Sequence, residues 1–178
     1  MENNINLLTE IDMQTSVISP EVLLKHWQGH RSLTRKVIVS FPEDRLFEYS
    51  VGGMRPFSAL ALEMIEMAVP GMNGIVTGKW ELPNEKTKAP APRTREELLR
   101  LWDEATDHIN KYWPKIPAKR FQEVDLAFGQ WEGPIYWLIF YFIDNEIHHR
   151  GQGYVYLPLE SSRLHSGTGD KLMRPEFE

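Results

Sequence analysis

Residues 134–156 read PIYWLIFYFIDNEIHHRGQGYVY, and the two halves of this stretch differ in kind. From Ile135 to Ile143 the chain is apolar without a break, bounded by Gly133-Pro134 on one side and Asp144-Asn145-Glu146 on the other. The run falls well short of the ~20 residues needed to span a bilayer as a helix. Pro134 suits the first turn of a helix, because its missing N–H costs nothing there. The stretch therefore predicts a helix from Pro134 to about Tyr156, nearly apolar all round in its first half. Such a helix is buried on most sides, which points to the centre of a helical bundle rather than to a strip lying on a sheet.

Working upstream, Thr94 followed by Glu97 matches a capping box, and Leu98, Leu101, Trp102, Ala105, Ile109 and Trp113 form the buried stripe of a helix that ends at Pro114. Between the two helices, Phe121, Val124, Leu126 and Phe128 fit an extended stretch. Residues 81–95, ELPNEKTKAPAPRTR, have mixed charge, three prolines and no apolar period, and read as an exposed connection. Before it, Phe57, Leu60, Ala61, Met64, Ile65, Met67 and Ala68 recur with helical spacing in a second helix that continues past Pro70. Ser19-Pro20 opens a first helix running to about residue 40 with Val22, Leu23, Trp27, Leu33, Val37 and Ile38 as its apolar positions. Phe41-Pro42 breaks it, and a short helical connector follows before Gly52-Gly53. The sum is an all-α single domain over 1–178, an antiparallel four-helix bundle with short extra helices and a long connection between helices 2 and 3. Residues 1–19 form an N-terminal extension, and 158–178 a surface tail.

Composition narrows function by exclusion. Twenty Lys plus Arg against 25 Asp plus Glu give a net charge of −5, which favours neither nucleic acid nor an acidic membrane. With no cysteine there is no thiolate nucleophile, no disulfide and no sulfur-ligated metal. No G-x-S-x-G elbow, Walker motif or dinucleotide fingerprint occurs. The acidic, polar start, without the basic n-region and apolar run of a signal peptide, leads to the expectation of a cytoplasmic protein.

The densest polar cluster is Asp144 to Gln152. Asn145 and His149 lie one helical turn apart on one face, while His148 is rotated by about 100 degrees. Gly151 and Gly153 suit the close approach of another backbone or a ligand. A purely structural reading pairs Arg150 with Glu146 one turn earlier. A second pair, His26 and His30, has helical i, i+4 spacing but no assignable third ligand, so it reads as two ordinary, partly exposed histidines. Glu146 and His149 form one Glu-x-x-His unit, but a di-iron centre needs a second copy, which is absent. Trp80 and Trp131 fall near loops, where they can line the mouth of a pocket.

NEIHHRGQGYVYL resembles the H-E-x-x-H-R-G-Q segment of the last helix in the DinB/YfiT-like family. FPEDRLFEYSVGGMRPFSALALE is similar to that family's short helix, Gly turn and second-helix entry, and RPEFE to its Pro-aromatic ending. The resemblance implies a four-helix bundle, often dimeric, whose divalent metal is held by three histidines, and relatives that include thiol-dependent S-transferases and isomerases. Carried onto this chain, the three ligand positions fall on Glu63, Asn145 and His149, and only His149 matches. One imidazole, one carboxylate and one amide make a harder and weaker site than three imidazoles. The same three groups can also form a hydrogen-bonded cluster with no ion at all. Two functions follow from that choice. In one, Glu63, Asn145 and His149 hold a divalent ion (Mn, Fe, Ni or Zn) in a thiol-dependent transferase or a hydrolase of small molecules. In the other, the protein is a metal-free, non-catalytic bundle that binds a small ligand or is associated with stress. Neither involves nucleic acid or a membrane, both are compatible with a homodimer, and no catalytic residue is assigned.

Overall fold

The computed structural model describes residues 17–82 and 90–157. The N-terminal extension up to residue 16, the centre of the 81–95 connection and the 158–178 tail, including RPEFE, lie outside the described residues. The elements in chain order are α1 (Pro20–Ser40), α2 (Glu43–Glu48), α3 (Phe57–Thr77), α4 (Arg95–Tyr112), β1 (Val124–Ala127), β2 (Trp131–Pro134) and α5 (Ile135–Tyr156), with two turns of 3-10 helix between α4 and β1.

The helix boundaries follow local chemistry. Ser19 caps α1 by accepting the Val22 N–H, with Pro20 in the first turn. Thr94 accepts the Glu97 N–H, and the returning Glu97 carboxylate takes the N–H of Arg93, one residue earlier than a reciprocal capping box would place it. α3 runs through Pro70 and stops at Gly78, whose φ of 71° is accessible to glycine without steric cost. Pro134 is not the first residue of α5 but its cap, because it also closes β2.

Cross-helix pairs give the helix directions. Trp27 faces Phe142, and Arg31 faces Glu146, so α1 and α5 run in the same direction. Gln28 meets Asn110 and Arg35 meets Asp103, so α4 opposes α1. Glu63 meets His149 and Phe57 meets Gly153, so α3 opposes α5. It follows that α3 and α4 are parallel. The expected antiparallel arrangement thus holds for two of the neighbouring pairs and fails for the other two. The physical reason lies in the 81–95 connection: two parallel neighbours can be joined only by a chain long enough to return along their whole length.

A β-hairpin, unexpected beyond the single extended stretch around 121–128, precedes α5, with Val124 paired to Pro134 and Ala127 to Trp131. Phe128 (φ 52°) and Gly129 (φ 69°) make its turn. Two apolar clusters form the core. One gathers Leu23, Trp27, Met72, Ile109, Trp113 and Ile139, and the other Ile38, Phe41, Phe57, Leu60, Leu98 and Trp102. Among the described residues α3 alone is long and apolar enough to cross a membrane, and more than half of that window is buried inside this core.

Close packing at Gly153 gives a direct test of the fold. A Cβ there would come within 2.4 Å of the Phe57 ring, which is itself fully buried and stacked on Phe41 at 4.8 Å between centroids. Alanine improves helix propensity by about 1 kcal/mol, but overpacking a held ring costs about 1–3 kcal/mol. Gly153→Ala is expected to be net destabilising in urea unfolding, and a gain in stability would show that the ring yields.

Candidate functional site

Between the two apolar clusters lies a polar layer built from the middle turns of the long helices. On the α1/α5 side it is buried. Arg31 (1% exposed) reaches Glu146 (2% exposed) at 3.4 Å, donates to the Trp102 carbonyl at 3.0 Å and to the Thr106 hydroxyl at 2.7 Å, and lies over the Trp102 ring at 4.0 Å. The other Glu146 oxygen lies 3.1 Å from the Thr34 hydroxyl. Burial pushes the Glu146 carboxyl up, with Arg31 and then Thr34 pulling against it.

Arg150 does not pair with Glu146 as the helix spacing suggests. It turns towards α1, donating to the His30 carbonyl at 3.2 Å and the Thr34 hydroxyl at 3.3 Å, with its second nitrogen 3.0 Å from His30 Nδ1. The reason is geometric: α1 packs on α5 with the His30 carbonyl, the His30 ring and the Thr34 hydroxyl within reach of Arg150, whereas the Glu146 carboxylate is already taken from α1 by Arg31 and Thr34. His30 is accordingly buried rather than partly exposed, and burial, the Arg150 cation and His26 lower its pKa to about 4. The signal that could have found these partners was the presence of Arg31 and Thr34 inside the apolar stripe of the first helix.

On the α3/α5 side the layer opens to solvent. Here Glu63 and His149 come together, with His149 Nε2 3.2 Å from Glu63 Oε1. Arg55 pairs with the other Glu63 oxygen. Burial opposes ionisation of Glu63, but hydrogen bonds from Arg55 and His149 outweigh it and hold the carboxyl below its usual range. His149 Nδ1 lies 2.8 Å from the Gln152 amide oxygen. Asn145 is half-buried one turn before His149, and it bonds to neither Glu63 nor His149.

Beside this cluster is a cavity of about 280 Å³ between α3, α5 and the hairpin. Among the described residues Glu63 is its one charged wall residue; Phe128, Trp131, Trp137, Tyr141 and Phe142 supply aromatic walls. Of the two loop tryptophans, Trp131 lines it, whereas Trp80 packs edge-on against Phe128 behind it. The cavity also explains a departure from expectation in α5. Tyr136, Trp137 and Tyr141 are 40%, 47% and 43% exposed, so the apolar half of the helix is not buried on most sides. Two of these three rings are cavity wall.

The DinB family model matches residues 13–159. The chain belongs to the DinB family. A crystal structure of a DinB-like protein from Bacillus cereus is similar to it in fold, with 18% identity, a TM-score of 0.57, and coverage of 76% of this chain and 89% of that one. No curated protein matches the chain.

The divalent ion that the DinB resemblance implies does not suit the donors present. Both oxygens of Glu63 are engaged, one by a guanidinium, and both nitrogens of His149 face oxygen atoms. An imidazole ligand must turn one bare nitrogen lone pair to the ion, and here both nitrogens of His149 face hydrogen-bonding partners instead. Among the described residues no group of three or more His, Asp or Glu is placed to hold an ion. What the cluster can do is present a carboxylate, oriented by Arg55 and His149, to whatever enters the cavity.

Proposed function

We propose that this DinB-family protein is a four-helix bundle that binds a small, mostly apolar molecule in the cavity between α3, α5 and the hairpin, and does so without a metal ion. The observation that carries this reading is the set of aromatic side chains on α5 that leave the core and wall a cavity instead. Ligand sites of this kind combine apolar walls with a few placed polar groups, and Glu63 with its two partners fills the second role. A thiol-dependent transferase or hydrolase would need an ion with an open coordination position to activate a thiol or water. The engaged atoms of Glu63 and His149 favour ligand binding over that chemistry.

Trp131 and Trp137 make the test optical. Titration with tert-butylbenzene in the presence of a chelator should give a saturable change in tryptophan fluorescence. Ala127→Phe, which projects bulk from a buried cavity position, should weaken binding at least tenfold while leaving the helical circular dichroism intact. Absence of binding, or binding that appears only after loading with manganese, iron(II), nickel or zinc, would overturn the reading and return attention to the metal-dependent enzyme.

A further inference from the structure

We infer that the preferred occupant of this cavity is an organic cation, a quaternary or tertiary ammonium group enclosed by the rings of Phe128, Trp131, Trp137, Tyr141 and Phe142, with Glu63 at its polar edge. The inference rests on the cavity being a ligand site, and goes further by giving the charge of the ligand.

The rings are set as differently oriented panels, not as one stack. Phe128 and Trp131 meet at 81° with centroids 6.1 Å apart, Tyr141 and Phe142 at 66° and 6.4 Å, and Trp137 and Tyr141 at 29° and 6.5 Å. Each face carries the negative lobe of an aromatic quadrupole, and tryptophan is the strongest such surface. Among the described residues no Lys, Arg or His lines the cavity, and the charged residue that does is a carboxylate. An anion would be repelled by Glu63 and by any ring face it met. An uncharged molecule would gain apolar burial but nothing from either electrostatic feature.

Arg55 does not cancel this preference. Its side chain is 54% exposed against 31% for Glu63, so water screens the guanidinium more than the carboxylate, and Arg55 does not reach the cavity wall.

The test compares phenyltrimethylammonium with tert-butylbenzene, which share shape and differ by one nitrogen-for-carbon exchange that carries the charge. The ammonium compound is expected to bind at least about tenfold more tightly, and to weaken with added salt when its uncharged twin does not. Glu63→Gln and Trp137→Leu should each narrow the ammonium compound's advantage over its uncharged twin by about fivefold or more, whatever each does to binding of both. Trp137, half-exposed, keeps the test available if Glu63→Gln fails to fold. Equal affinities for the two compounds would overturn the charge preference and leave the cavity reading standing. Failure of both to bind would remove the cavity reading itself. An ammonium preference untouched by either substitution would place binding elsewhere on this acidic protein, and would also overturn the inference.

Discussion

Glu146→Ala is expected to cost about 3–5 kcal/mol of folding stability, one of the largest losses available from a single substitution in this chain. The Glu146 carboxylate is 2% exposed, and it is the acceptor that Arg31 (1% exposed) and Thr34 converge upon from α1. Its removal leaves a guanidinium in the core with Arg150 close by, and two cations there have no carboxylate between them. The Trp102 carbonyl, the Thr106 hydroxyl and the Trp102 ring would still solvate Arg31, which is why the loss should stay near the lower part of that range. Urea unfolding followed by circular dichroism measures it. The companion variant decides the cause: Arg31→Met added to Glu146→Ala should recover much of the loss, because an apolar pair avoids the unpaired charge. A single variant that loses less than about 1 kcal/mol, or a double variant no better than the single, would show that the ion pair is not what the core depends on.

The buried pair also shows where sequence reading stops. Helix starts were legible because each is decided within a few residues: Ser19 ahead of Pro20, and Thr94 three before Glu97. The long apolar stripes were legible for the same reason, since their period is a local property. Arg31 and Glu146 are 115 residues apart, and nothing local tells either which helix will face it. The spacing rule paired Glu146 with Arg150, and it lost to a partner on α1 that only the packing supplies. The hairpin was hidden for a different reason. Its strands have four residues each, and Val124 and Leu126 point outward at 62% and 50% exposure, the reverse of the usual alternation. Its turn uses Phe128 at positive φ, where Asn or Gly would have been an obvious signal. The ring contacts of Phe128 with Trp80 and Trp131 hold that conformation, and they are tertiary.

The candidate site was legible in part. Glu63 and His149 were named from the family resemblance, and they do meet. Arg55 and Gln152, which decide what those two can do, were not named. Their contribution depends on which atoms are left free, and that is a matter of angstroms rather than of residue types. Apart from Trp131, which the sequence places near a pocket mouth, the cavity was not legible, because its aromatic residues lie on the hairpin and on α5, and on α5 they are indistinguishable in sequence from core. Trp137 and Leu138 are neighbours in an unbroken apolar run, yet one is 47% exposed and the other 2%.

Acidification should destabilise the protein through His30, before general protonation of carboxylates takes over. Burial, the Arg150 guanidinium and then His26 lower the His30 pKa from 6.5 to about 4. The folded state thus holds this imidazole neutral over a range in which the unfolded chain would protonate it. The unfolded state binds the extra proton, so stability falls as pH is lowered from 6.5 towards about 4. The loss approaches about 3 kcal/mol, and it is complete only below the folded-state value. The structural reason is that His30 Nδ1 lies 3.0 Å from the Arg150 nitrogen and must accept its hydrogen, which a protonated ring cannot do. His30→Asn keeps an acceptor near that position and cannot titrate. It should be somewhat less stable at neutral pH, and its stability should change much less than that of the parent between pH 6.5 and 4. Glu63 contributes in the same direction at lower pH, because its carboxyl lies below the usual range and its stabilising pairs are lost as it protonates. Glu146 acts in the opposite sense, since its raised carboxyl favours the folded state as protons are added. The difference between parent and His30→Asn curves removes both terms, provided the substitution leaves them unchanged. A difference that stays flat from pH 6.5 to 4 would mean that the His30 to Arg150 contact does not depend on a neutral ring.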